Sequence, residues 1–340
     1  TAPALAMRAA EIAGDKQAGG GSASGPESVV VDFGGPNVAK PMHVGHIRSA
    51  VIGDTLVRLL RFMGDDVTGD VHLGDWCLQM GLLIVAVKDE QPDLIYFDAA
   101  QNGPFPDDPP VTMEDLSRLY PMASARSKDD AGYAQRAQAA VAEMQAGRPG
   151  YRALLQHFIQ VSVAALKVDY GFLDVSFDLW KGESDVDPLI APMIETLKAE
   201  GFASEDDGAW IIDIARDDEN VETVGKDGQP RLKNPMPPFM LVNSRGATGY
   251  HATDLATIKD RVDTIGPDRM LYVVDQRQAL HFEQVFRAAD KDGKPFKTRE
   301  GGTLRLADLN AMALEEATKR IGEAGLSGDI GADEKAEIGE

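Results

Sequence analysis

A chain of 340 residues, 43% of them hydrophobic, can bury a large core and has the length of two domains or of one domain with a big insertion. No apolar run is long enough to span a membrane, the first 25 residues carry no signal-peptide pattern, and a single cysteine excludes an internal disulfide framework, so a reducing, cytoplasmic setting is expected. A net charge of −21 argues against a protein that coats nucleic acid through a basic surface, though not against a local basic patch.

In chain order, residues 1–28 read as an N-terminal remnant, with a short helix over 4–12 and a flexible glycine-serine linker over 19–26. Order is expected from Val29, where the run Val29-Val30-Val31 predicts a strand. Ile47, Val51, Leu56, Leu59, Leu60 and Met63 then recur at helical spacing up to a stop at Gly64. A second strand over 67–71 completes a strand–helix–strand unit, the arrangement that places ligands at the C-terminal ends of strands. Residues 86–205 read as a helical insertion, with a Pro/Gly-rich loop at 103–110 and amphipathic helices over 131–145 and 152–170. Strands return at 209–214 and 239–242, and Leu271-Tyr272-Val273-Val274 has the make-up of a buried parallel strand.

The chemistry concentrates between the first strand and the first helix, in Pro36-Asn37-Val38-Ala39-Lys40-Pro41-Met42-His43-Val44-Gly45-His46. Free backbone N–H groups and the positive end of the helix dipole make such a junction an anion site. Imidazoles of His43 and His46 can donate to phosphate oxygens there, Gly45 leaves room for a base, and Lys40 adds a cation just upstream. A metal site is the competing reading, but six histidines and one cysteine supply few further ligands. Three later segments carry matching chemistry. Tyr250 and Asp254 share one helix face at i, i+4; Gln278 and His281 follow the last strand; and 293–302 is a glycine-bounded basic loop with Lys297 and Arg299.

The stretch Gly35-Pro36-Asn37-Val38-Ala39-Lys40-Pro41-Met42-His43-Val44-Gly45-His46-Ile47-Arg48-Ser49, with His72-Leu73-Gly74-Asp75-Trp76, Tyr272-Val273-Val274-Asp275-Gln276-Arg277-Gln278 and Lys294-Pro295-Phe296-Lys297-Thr298-Arg299, resembles the catalytic domain of the arginyl-tRNA synthetase family, class I, from about Val29 to Arg320. The resemblance implies an α/β fold, a Rossmann-like doubly wound parallel sheet over 29–85 and 206–340 with the largely helical insertion 86–205. It also implies that the family's C-terminal anticodon-binding domain is absent. The implied reaction joins L-arginine to ATP as arginyl-adenylate, with Mg2+ accompanying ATP and no protein-borne metal site, and then passes the arginyl group to tRNA(Arg). The chain is expected to act as a monomer away from membranes.

By the same resemblance, Lys40, His43, His46 and Lys297 are the catalytic residues. His43, Gly45, His46, His281, Lys297 and Arg299 would bind ATP. Asp254 would grip the guanidinium with Tyr250 beside it and Asp32 as a second negative charge, while Asn37 and Gln278 hold the amino-acid end. Three departures from the family pattern stand out: Gly34-Gly35 in place of hydroxyl residues, Cys77-Leu78 after the Gly-Asp-Trp motif, and a link from Phe286 to Lys291 so short that a missing segment is the expectation. The alternatives are a truncated, non-catalytic module that binds arginine or ATP, and another adenylyltransferase of the same fold.

Overall fold

The computed structural model describes residues 2–289 except 17, 19, 21–24, 225–229, 245 and 247. Helix α1 (Ala2–Gly14) buries none of its residues. Strand β1 (Ser28–Phe33) is buried almost throughout, as its β-branched run requires. Helix α2 (Val44–Met63) ends on Gly64 in the left-handed conformation, and strand β2 (Asp66–Leu73) follows. The strands read at 29–31, 67–71, 209–214, 239–242 and 271–274 all form within a few residues of those positions, while Leu179–Gly182, Ser204–Asp206, Val221–Val224 and Pro230–Lys233 form strands not read from the sequence.

Helices α3 (Leu78–Glu90), α4 (Met113–Asp129), α5 (Ala131–Gln145) and α6 (Pro149–Phe172) form the helical block. Its centre is α3, whose residues from Gln79 to Val87 are all buried. The block also reaches back to the first loop: the Ala39 amide donates to Ser162 Oγ (2.9 Å), and Tyr170 Oη donates to the Gly34 carbonyl (2.6 Å). Helix α6 thus holds the segment that leads into the His-Val-Gly-His motif.

Strand β3 (Leu179–Gly182) pairs in parallel with β2, from Asp70 with Leu179 to Leu73 with Gly182. The helical block therefore ends before 179, and the boundary expected at 205 is moved: the chain re-enters the central sheet within the segment read as insertion. Helix α7 (Glu183–Ala199) starts directly from β3.

Strands β4 (Ser204–Asp206), β5 (Ala209–Ile212) and β8 (Phe239–Val242) make a separate antiparallel sheet, and β6 (Val221–Val224) pairs with β7 (Pro230–Lys233) as an antiparallel ribbon. The strands expected at 209–214 and 239–242 are real, but they do not extend the parallel sheet as the 206–340 Rossmann half implied. The reason is connectivity. A parallel neighbour needs a crossover, usually an α-helix, and among the described residues between β5 and β8 the only helical piece is a short 3-10 turn, Asp217–Glu219. Helix α8 (Tyr250–Thr264), strand β9 (Arg269–Val273) and helix α9 (Ala279–Ala289) complete the described chain.

The central sheet has the order β3-β2-β1-β9 and is parallel throughout. Beside it, α7, α8 and α9 share an apolar core with the small sheet, through residues such as Ile190, Ile194, Phe239, Leu241, Leu255 and Val285. Burial in β9 falls short of the expectation, since only Leu271 is buried. Among the described residues β9 is a sheet edge with one strand partner.

Candidate active site

A cleft of 820 Å³ opens at the C-terminal ends of the parallel strands and takes its walls from the loop after β1, the start of α2, the start of α8 and the turn after β9. It brings together Asp32, Asn37, His43, Gly45, His46, Tyr250, Asp254, Gln278 and His281, and adds Ser49, His72, Glu183 and Arg277. Lys297 and Arg299 lie outside the described residues, as does the end of the 286–291 link.

At one end, His43 is the N-cap of α2 in an extended conformation. Its Nδ1 accepts from the Gly45 amide (3.1 Å), and its own amide donates to His46 Nδ1 (3.3 Å), so the two histidines cap the helix reciprocally. Their rings stack with centroids 3.9 Å apart. Because both Nδ1 atoms accept, each neutral imidazole carries its proton on Nε2, which makes both rings donors to an anion. Burial, then the neighbouring His43 and Lys40, push the His46 pKa down and favour that neutral form. The motif is tight: a Cβ on Gly45 would stand 2.8 Å from His43 Cε1.

At the other end, the first turns of α8 present Tyr250 and Asp254. His281 Nε2 lies 2.5 Å from Asp254 Oδ2, and the rings of Tyr250 and His281 are 4.7 Å apart. Glu183, the first residue of α7, adds a second carboxylate to this end. Burial, reinforced by the nearby charge of Asp75, raises its pKa to about 7.

The His72-Leu73-Gly74-Asp75-Trp76 motif positions both ends. The Trp76 amide donates to Glu183 Oε2 (3.2 Å), and Asp75 accepts from the amide and hydroxyl of Ser184 (2.8 and 2.5 Å), which fixes the start of α7. Burial raises Asp75 to about 6. Gly74 bridges to Asn37 through Gly74 N–H to the Pro36 carbonyl (3.2 Å) and Val38 N–H to the Gly74 carbonyl (3.0 Å). A Cβ there would stand 2.3 Å from Asn37 Oδ1, so any larger residue would displace the Asn37 side chain. His72, with its Nδ1 wholly buried, is pushed down by burial and then by Arg261 to about 4, and is neutral at physiological pH.

Two expected roles meet a different arrangement. Asp32 touches the cleft, but its Oδ2 accepts from Arg261 Nη2 (2.5 Å), so this carboxylate already holds a guanidinium of the chain's own. Lys40 is not on the cleft wall; its Nζ stands 4.8 Å from the ring centroid of Tyr120 on α4. His281, read as an ATP ligand, sits against Asp254 at the carboxylate end. Reading the sequence missed Glu183 and Arg261. Glu183 reads locally as an acid in the first turn of a helix, a common dipole-balancing choice that carries no sign of a cleft. Arg261 had a usable signal, because it falls seven residues after Asp254 on the same helix face.

Residues 10–291 match the family model described as tRNA synthetases class I (R), catalytic domain. Two curated relatives named arginine--tRNA ligase are 60% identical (Hyphomonas neptunium) and 54% identical (Maricaulis maris), over 98% and 97% of this chain and 58% of each relative. The chain thus spans under two thirds of their length. The first alignment runs over 357 positions against 340 residues here, so that relative carries residues within the matched span that have no counterpart in this chain. The crystal structure of arginyl-tRNA synthetase from Plasmodium falciparum superposes with a TM-score of 0.62 at 23% identity, over 90% of this chain and 49% of that one, which establishes a shared fold.

Proposed function

The chain belongs to the class I tRNA synthetases (R), of whose catalytic domain it carries the matched region, and from that premise we propose that it activates L-arginine with ATP and passes the arginyl group to tRNA(Arg). One observation carries this reading: a single cleft joins an imidazole-capped helix start to a pair of carboxylates, Asp254 and Glu183. The first end suits phosphate. The second suits guanidinium, which is permanently charged and offers five donors in a plane.

In the proposed reaction, an oxygen of the arginine carboxylate attacks the α-phosphorus of ATP, the bond to the β-phosphate breaks, and pyrophosphate leaves. The nucleophile is already ionised, so no general base is required. Catalysis is positioning and charge stabilisation. The Nε2–H groups of His43 and His46 and the amides at the start of α2 would bind phosphate oxygens. Asn37 and Gln278 would hold the amino-acid end, with Tyr250 against the side chain. Mg2+ would enter with the ATP phosphates. The 3′ end of tRNA(Arg) would then attack the adenylate's carbonyl and release AMP. Lys297 and Arg299 are assigned to the pyrophosphate by resemblance. Lys40 would act at a distance, through its charge at His46.

The test is calorimetric titration with L-arginine and with L-citrulline, which has nearly the same shape without the charge. Arginine should bind at least about a hundredfold more tightly, because citrulline leaves the half-buried carboxyl groups of Asp254 and Glu183 without a cation. Equal binding of the two, or binding of neither, would refute the arginine site.

A further inference from the structure

Helix α8 carries Tyr250, Asp254, Thr257 and Arg261 at spacings of four, three and four, so one face holds all four side chains. Arg261, at the far end of that stripe, is 1% exposed. Its Nε and Nη2 donate to Asp70 Oδ2 (3.0 and 2.7 Å), Nη2 donates to Asp32 Oδ2 (2.5 Å), and Nη1 donates to the Tyr272 hydroxyl (2.9 Å). These acceptors stand on three neighbouring strands, β2, β1 and β9. In the register of the sheet, Asp32 is the direct partner of both Asp70 and Tyr272. One guanidinium therefore spans a single rung of three parallel strands. One helical turn nearer the cleft, Thr257 Oγ1 lies 3.4 Å from Nε2 of His72, two residues beyond Asp70 on the same face of β2. Helix and strand advance in step from the buried rung to the cleft.

Burying a guanidinium with two carboxylates is a poor way to gain stability, because desolvation cancels most of the attraction and an apolar contact would hold the helix as well. What such a network supplies is registry. A fork that satisfies three acceptors on one rung fits at one height and one rotation, whereas a greasy contact tolerates slippage. We infer that Arg261 is a positioning residue that locks α8 onto the Asp32–Asp70–Tyr272 rung, thereby setting the height and rotation of Tyr250 and Asp254 in the cleft. Burial works against the charge on Arg261, but Tyr272, Asp32 and Asp70 outweigh it and keep the guanidinium protonated.

The functional half of this inference rests on the arginine-binding reading above; the structural half does not, and the experiment separates them. Arg261→Lys keeps the charge but loses the fork. Tyr272→Phe removes one neutral arm and leaves every ion in place. Each is measured by circular dichroism, by amide hydrogen exchange across 250–264, and by calorimetry with L-arginine and with ATP. For Arg261→Lys in a folded chain, exchange in 250–264 should rise at least about tenfold. Arginine binding should weaken at least about tenfold while ATP binding shifts less than about threefold. Tyr272→Phe should move the same quantities in the same direction by less, which keeps the test decisive if Arg261→Lys fails to fold.

Unchanged exchange in α8, or equal losses for arginine and ATP, would overturn the positioning role. If the unsubstituted chain binds no arginine, the arginine reading falls, and the exchange data still decide whether Arg261 sets the helix.

Discussion

Glu183 and Asp254 face the same cleft under different electrostatic conditions. Glu183 holds its proton up to about pH 7 because burial and Asp75 disfavour its charge, and a guanidinium would reverse that preference. Arginine binding should therefore expel a proton below pH 7, and affinity should fall as pH drops, by up to about tenfold per unit. Calorimetry at pH 6 and pH 8 in buffers of different ionisation enthalpy would register the proton, and Glu183→Gln should abolish both the release and the slope. The same shift predicts a stability effect. A carboxylate whose pKa is raised on folding contributes stability while protonated and loses it as pH rises through its folded value. Glu183→Gln should accordingly stabilise the unliganded protein at pH 8 by about 1–3 kcal/mol, read from urea unfolding, with no gain at pH 4. Asp254→Asn should weaken arginine at least about a hundredfold and leave ATP within a few-fold, because ATP is assigned to the other end of the cleft. Matching losses for both ligands would contradict that division.

Loops at the ends of strands do the positioning, and they are held by elements far away in the chain. The segment after β1 is pinned by α6 at two points and by Gly74 at a third. Gly74→Ala would drive a methyl into Asn37, and the expected cost is about 1–3 kcal/mol in unfolding free energy together with loss of arginine binding. The double variant Gly74→Ala/Asn37→Ala should recover stability, since the clash is gone, but not affinity, since the amide is gone. Recovery of both would mean that Asn37 takes no part in binding. The segment 34–39 also shows why the helical block matters to a cleft it does not line. Its last helix supplies the hydroxyls of Ser162 and Tyr170 that fix this loop.

At the scale of the whole described chain, apolar residues are buried at the parallel sheet, within the helical block, and in a core shared by α7, α8, α9 and the small antiparallel sheet. The cleft takes residues from the parallel strands and from α7, α8 and α9, so pocket geometry depends on how α8 rests against the strands. Helix α1 contributes to no core, as none of its residues is buried. Deleting residues 2–14 should change unfolding free energy by less than about 0.5 kcal/mol. A larger loss would show that α1 packs in solution against a surface it leaves open here.

Much of this was determined by the sequence by itself, because the signals are local. The strand–helix junction with its two histidines, the Gly64 stop and the Tyr250–Asp254 spacing each depend on neighbours within a turn or two. The motifs also carried the family, and with it the α/β parallel-sheet fold. Tertiary structure alone decided which acids face the cleft and which of them holds a guanidinium of the chain's own. Asp32 looked as available as Asp254 until Arg261, 229 residues away, was found bonded to it. Glu183 became a site residue only because Trp76, 107 residues earlier, holds its carboxylate beside the cleft. Residues 179–182 joined the central sheet because they pair with β2, a choice that a four-residue strand cannot announce by periodicity. A residue's charge and spacing are written in the chain, but its burial and its partner belong to packing between distant segments, and those two decide whether a carboxylate is free to bind a ligand.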